Sequence, residues 1–290
     1  MSDMRFEAPT TVAAAVALLA GAKGQARVLA GGTDLLIQMR SGRIAPELVV
    51  DVKAIPEMTA IVAENGAFRV GAAVSCMELI EHPSFPKEWP GVADAAKLIG
   101  SVQVRGRATL GGNLCNASPA ADSVPALIAA GVKVTIAGPQ GKREARVEDI
   151  ATGPGVTSLA KGEIVTSFVF PRRSRRSGDA YLRFIPRSEM DIAVVGVGVN
   201  LTLDDAGICR EARVCLGAVA ERALLVPEGA TVLIGGKVDE SALERLAGAA
   251  SAACRPIDDK RGTKEFRIKV TGVLARRTAV IALERARSNH

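Results

Sequence analysis

Two short stretches carry the residue types best suited to hold a charged ligand. The first runs through Leu29, Ala30, Gly31, Gly32, Thr33, Asp34 and Leu35; the second through Thr109, Leu110, Gly111, Gly112 and Asn113, then Asn116 and Ser118 to Asp122. Adjacent glycines let a backbone approach a ligand closely and reach positive φ, while short polar side chains hydrogen-bond locally. One glycine pair alone is ordinarily a tight turn. Two such loops, each ending in small polar groups, could cradle the two phosphates of one dinucleotide. Asp122 either caps the helix after it or accepts hydrogen bonds from a polyol. The second stretch, 108–122, shows no periodic apolar face and reads as a loop.

The usual nucleotide and metal signatures are missing. Gly153 and Gly155 lack a third glycine, and Gly196 with Gly198 falls mid-strand, where small residues admit a close-packed layer above. The spacing from Gly138 to Lys142 does not fit a Walker loop. Cys76, Cys115, Cys209, Cys215 and Cys254 form no CxxC pair, and only His82 and His290 are present, so neither a zinc site nor an iron–sulfur cluster nor a catalytic triad can be assembled. A protein of this kind supplies a cavity and hydrogen bonds while a cofactor supplies the reactivity.

The elements that must position these loops follow from pattern. Residues 12–19 are an alanine-rich helix with a threonine cap; 27–30 is a short strand that delivers the first loop; 34–39 is a helix and 48–51 a buried strand. Residues 68–72 are a strand, Ser75 and Glu78 a capping box, and 91–99 a helix. After the second loop come a helix at 124–130 and strands at 132–136 and 163–170. The polar, basic stretch 172–178 is the expected domain boundary. Beyond it lie long strands of antiparallel type (180–185, 192–203 and 211–220) and two helices, 241–253 and about 264–287.

The length, 290 residues, suits two domains, and 48% hydrophobic content supports a full core. With 3% aromatic residues that core must be mostly Val, Ala, Ile and Leu. The net charge of +6 sits in short clusters, Arg172, Arg173, Arg175 and Arg176 and then Arg276 and Arg277, without interleaved aromatics, which argues against nucleic-acid binding. Such clusters read as solvated faces or linkers. Scattered thiols, no signal peptide and no apolar run of spanning length point to the cytoplasm.

LAGGTDLL at 29–36, ATLGGNLCNASPAADSVPAL at 108–127, KGEIVTSFVFP at 161–171 and RPIDDKRGTKEFRIKVTGVLARRTA at 255–279 together resemble the FAD-binding (medium) subunit of the molybdenum hydroxylases. That family includes the medium subunit of aerobic carbon monoxide dehydrogenase and the flavin domain of xanthine dehydrogenase. The resemblance covers essentially the whole chain. It implies an α+β fold: a two-part FAD-binding domain of the vanillyl-alcohol-oxidase (PCMH) type at 1–173, with subdomains of about 1–57 and 58–173, then a carbon monoxide dehydrogenase flavoprotein C-terminal-like domain at 178–290.

It also implies roles. Residues 30–35 (with Leu29 leading in) and 109–113 would surround the FAD pyrophosphate. Asp122 would bind ribityl or adenosine hydroxyls, Ile99 and Val165 would wall the site, and Arg183 would place a cation near the flavin. On this basis valine at Gly31 or Gly111 is expected to expel FAD and leave the fold soluble. The partners implied are a large subunit carrying molybdopterin and a small subunit carrying two [2Fe–2S] clusters, in a dimer of heterotrimers. This subunit would take electrons from those clusters on FAD and pass them to NAD, a quinone or oxygen.

Two departures stand out: Ile192 replaces an aromatic residue that stacks on the flavin in some members, and Ser118 replaces an aspartate of the carbon monoxide dehydrogenase type. Two other readings compete. A self-contained FAD oxidoreductase of the vanillyl-alcohol-oxidase group needs a substrate pocket that the aromatic-poor C-terminal segment does not furnish. A basic scaffold or RNA-binding protein would leave both glycine loops as turns.

Overall fold

A computed structural model describes residues 4–289; His290 lies outside them. The chain opens with a three-stranded parallel sheet in which Leu48–Asp51 lies between Arg5–Glu7 and Ala26–Leu29. Parallel neighbours need crossover connections. The Val12–Gly21 helix, capped by Thr11 through the Ala14 N–H, supplies the first, and Leu35–Arg40 lies in the second. The central strand is the apolar one, as its position demands.

A five-stranded antiparallel sheet follows, ordered Ile61–Glu64, Ala67–Gly71, Ile164–Phe170, Lys133–Gly138 and Gly141–Arg146. The Ser75–Glu78 capping box forms in full and starts the Cys76–Glu81 helix. Phe68, Phe85, Phe170 and Trp89 gather in one edge-to-face and tilted cluster, with successive centroids 5.0–5.6 Å apart.

The last part is a four-stranded antiparallel sheet, Ser177–Phe184, Val195–Leu203, Cys209–Gly217 and Leu224–Leu225. Alternation along Val195–Leu203 gives the sheet two different faces. Val195, Val197, Val199, Leu201 and Leu203 pack in one apolar cluster with the Glu240–Ala253 and Lys264–Ser288 helices. On the other face a Cβ at Gly198 would lie 2.5 Å from the Pro125 carbonyl oxygen, and one at Gly217 would lie 2.7 Å from the Pro125 ring. The missing side chains therefore let the Ser123–Ala129 helix of the first domain settle directly on the second sheet.

Within the basic stretch Arg172 and Arg175 are exposed, as a solvated face or linker would be, but Arg173 is fixed. Arg173 is only 7% exposed in its side chain; it donates to Asp179 Oδ1 at 2.8 Å and to Ser177 Oγ and O at 3.1 Å, with its guanidinium 5.0 Å from the Trp89 ring centroid. Asp179 also accepts from the Val92 N–H, and Arg285 ties the Asp179 carbonyl to Asp94 at 2.8 and 2.7 Å. A Trp face and a buried carboxylate offset the desolvation of this guanidinium, which sequence charge alone does not reveal.

Candidate functional site

The first glycine loop leaves the carboxyl end of the Ala26–Leu29 strand and enters the Leu35–Arg40 helix. Lys53 pins its start, donating to the Ala30 carbonyl at 3.0 Å and to Asp51 at 2.7 Å. Gly32 has φ +77°, the left-handed region that favours glycine, and this reverses the chain. Asp34 occupies the cap position without making a cap hydrogen bond. Among the described residues, the N–H groups of Gly31, Gly32, Thr33, Asp34 and Leu35 meet no backbone or side-chain acceptor. Five successive N–H donors without a protein acceptor, on a half-exposed loop, are available to an anion.

The second glycine pair does not lie in a loop: Leu110–Cys115 is a short helix. Two glycines and an asparagine disfavour helix, and tertiary contacts override them. Thr109, 3% exposed, caps it by accepting from the Gly112 N–H at 2.9 Å; the Gly111 N–H reaches the Ala72 carbonyl at 3.2 Å. The two glycine segments meet. The place a Cβ of Gly31 would take is filled by the Arg107 peptide, with its carbonyl carbon at 2.7 Å and Ala108 Cα at 3.0 Å, and Gln38 donates to Asn116 at 3.0 Å.

The glycines of each pair divide their work. Gly31 faces the Arg107 peptide, and Gly111 faces Ala72, whose Cβ and carbonyl carbon would lie 2.9 and 3.1 Å from an added methyl. Valine at either position therefore meets the protein's own backbone before it meets a ligand, so the expected loss of FAD would carry a packing cost with it. Gly112 meets only Thr109 Oγ1, at 3.1 Å.

Asn113 spends its side-chain oxygen on Ser123, at 2.6 Å from Oγ and 3.2 Å from N. Asp122 stands at the start of the Ser123–Ala129 helix but makes no cap bond; its carboxylate turns to the second domain. Tyr181 Oη donates to Oδ1 at 3.0 Å and Arg183 Nη1 donates to Oδ2 at 2.6 Å. Burial pushes the Asp122 carboxyl up to about 6 against the pull of Arg183 and the Tyr181 hydroxyl, and burial with the neighbouring Asp122 charge raises Tyr181. The structure thus brings Asp122 and Arg183 into contact, and it adds Tyr181 and Lys53, which the sequence reading did not select.

Ile99 and Val165 are 9% and 5% exposed and belong to the apolar core of the first domain; Val165 marks a register shift in its strand. Ile192 is half-exposed beside Asp191, which pairs with Arg261 at 3.5 Å. Phe184 and Phe266 meet edge to face at 5.7 Å. All five cysteines are free, and no cluster of three or more metal-ligating side chains exists among the described residues. No helix of the described residues is long and apolar enough to cross a membrane.

Two family models match the chain: the FAD binding domain in molybdopterin dehydrogenase over residues 2–173, and the CO dehydrogenase flavoprotein C-terminal domain over residues 180–281. The carbon monoxide dehydrogenase medium chain of Hydrogenophaga pseudoflava is 32% identical over 96% of this chain and 96% of its own length. The xanthine dehydrogenase FAD-binding subunit of Escherichia coli O157:H7 is 31% identical over 94% of this chain and 93% of its own. Among solved structures, carbon monoxide dehydrogenase from Hydrogenophaga pseudoflava, lacking the Mo-pyranopterin moiety of its cofactor, superposes with a TM-score of 0.93 at 30% identity, covering 97% of this chain and 98% of that one. Quinoline 2-oxidoreductase from Pseudomonas putida 86 gives 0.90 at 27% identity, over 98% of each chain.

Proposed function

Because this chain belongs to the FAD-binding subunits of the molybdopterin dehydrogenases, the family of carbon monoxide dehydrogenase and xanthine dehydrogenase medium chains, we propose that it is the electron-transfer subunit of a heterotrimeric molybdenum hydroxylase. It is an oxidoreductase subunit with the FAD-binding domain of that family and the flavoprotein C-terminal domain behind it. In our reading it takes electrons from [2Fe–2S] clusters of a small partner subunit and passes them to NAD, a quinone or oxygen. A large partner subunit holds molybdopterin, and the assembly is a dimer of heterotrimers. Five free thiols favour a reducing cytoplasm.

The observation that carries this reading is the run of five free N–H groups from Gly31 to Leu35, set against the Thr109-capped helix. These residues fit FAD. A pyrophosphate is an anion that accepts from such donors, each contributing about 1.5–3 kcal/mol when the acceptor is charged. Lys53 is committed to Ala30 and Asp51, so backbone donors carry the recognition. Ala30 to Leu35 and Thr109 to Asn113 would hold the pyrophosphate, with Leu29 supporting the first loop. Asp122 would take ribityl or ribose hydroxyls, Ile99 and Val165 would exclude water, and Arg183 would act through its pair with Asp122. FAD, when bound, supplies the redox chemistry; no side chain of this chain is required as a nucleophile.

The test is an absorbance spectrum of the chain purified alone and then with its partner subunits, followed by chromatography of the released cofactor. We expect flavin bands and FAD from the chain alone, joined by iron–sulfur absorbance and molybdenum in the complex. A colourless chain that takes up no added FAD would overturn the assignment.

A further inference from the structure

We infer that Tyr181, on the second domain, is a positioning residue for cofactor binding: its hydroxyl keeps the Asp122–Arg183 pair open, so that carboxylate lone pairs remain for a ligand hydroxyl. The inference rests on the reading of Asp122 as a cofactor residue given above.

Tyr181 and Arg183 are two apart on the Ser177–Phe184 strand and so share a face. They take one carboxylate oxygen each, at 3.0 and 2.6 Å. The Arg183 side chain is 5% exposed, yet its Nε has no acceptor. A guanidinium beside a buried carboxylate ordinarily closes into a two-point fork, with both donors satisfied. Here the Tyr181 hydroxyl holds Oδ1 and leaves Arg183 a single contact. The open arrangement costs a buried donor its partner, and such an orphan in a native structure calls for a reason. A ligand hydroxyl supplies one, because it can donate to Asp122 and accept from a guanidinium N–H together. The sugar and polyol hydroxyls of a dinucleotide have this chemistry.

The second domain is shaped for the arrangement. Gly196 lies opposite Arg183 across the strand pair, and a Cβ there would stand 2.6 Å from the Tyr181 oxygen. Gly198 and Gly217 let Pro125 approach, which brings Asp122 within reach. Three glycines of the second sheet thus make room for the tyrosine and for the helix that presents its partner.

The experiment uses the full chain, with FAD removed and added back. Tyr181→Phe keeps the ring and deletes the hydroxyl, freeing Arg183 to close on both oxygens. We expect the FAD dissociation constant to rise about tenfold, while the unfolding midpoint of the FAD-free protein is unchanged or raised, since the closed pair satisfies Nε. Gly196→Ala, which displaces the hydroxyl and deletes no polar group, is expected to weaken FAD in the same direction. The opposite split, a lowered midpoint with unchanged FAD affinity, would make Tyr181 a structural tie between domains and overturn the inference. If the wild-type chain itself takes up no FAD, the functional reading fails first, and that result is distinct from either.

Discussion

Alanine substitutions at Gly31, Gly111 and Gly112 separate packing from ligand contact. At Gly31 the new methyl lies 2.7 Å from the Arg107 carbonyl carbon and 3.0 Å from Ala108 Cα, where ordinary contact begins at 3.4 Å. The obstacle is backbone and cannot rotate away, so the cost is that of overpacking, about 1–3 kcal/mol. At Gly111 the methyl meets Ala72 Cβ at 2.9 Å, but a helical Gly→Ala change returns about 1 kcal/mol, leaving a smaller net loss. Gly112 has the same helical gain and one contact at 3.1 Å with Thr109 Oγ1, so its FAD-free stability should stay within about 0.5 kcal/mol of wild type or rise. Thermal melts of the FAD-free chain should therefore rank Gly31→Ala lowest, then Gly111→Ala, then Gly112→Ala, at about 2–4 °C per kcal/mol. FAD titration should give Gly112→Ala a clear loss of affinity with its fold intact. Gly31→Ala melting like the wild type would refute the packing argument, and wild-type FAD affinity in Gly112→Ala would remove Gly112 from the cradle.

Two further expectations concern charge. Asp122 titrates near 6 in the FAD-free fold against an ordinary 3.8, so between those values the folded state holds more protons than the unfolded state. This group therefore opposes folding above pH ~6, and that opposition fades as pH falls toward ~4. Its ionised form is the better acceptor for ligand hydroxyls, so FAD affinity should weaken as pH drops through ~6; a flat affinity profile from about pH 8 to about 5 would exclude Asp122 from the site. Arg173→Ala strips the buried Asp179 of its main partner and should destabilise the fold by about 3–5 kcal/mol, measured by denaturant unfolding; a change under about 1 kcal/mol would mean the Arg173–Asp179 pair does not fix the junction.

What the sequence showed and withheld follows from the range of each interaction. The Ser75–Glu78 capping box and the Thr11 cap are local, closed within three residues, and were legible. The buried strand Leu48–Asp51 announced itself by an apolar run, whereas Arg5–Glu7, three residues with one exposed aromatic, carries no pattern and is a strand only because Leu48–Asp51 pairs with it. The Leu110–Cys115 helix read as a loop because its intrinsic propensity is poor; Thr109 and Ala72 supply what the residues lack. Arg173 read as solvated because Trp89 and Asp179 lie 84 positions before it and six after.

The glycine pairs show most sharply where sequence reasoning stops. A Gly-Gly dipeptide states that two side chains are absent and says nothing about what occupies each gap. Gly31 and Gly111 yield to backbone of the protein itself; Gly32 serves a left-handed turn; Gly112 is left facing a nearly open side. The same holds for Gly196 and Gly198, which failed as a nucleotide fingerprint: Gly196 makes room for the Tyr181 hydroxyl, while Gly198, with Gly217, lets Pro125 approach and so brings Asp122 to Tyr181 and Arg183. Strand alternation places Tyr181 and Arg183 on one face, and this could have been read from spacing. Their carboxylate partner, 59 and 61 residues earlier, could not, because it is delivered by a helix whose seat depends on glycines in two further strands. The glycine segments proposed to hold the cofactor are therefore written locally, whereas the Asp122–Tyr181–Arg183 cluster exists only after the two domains have docked.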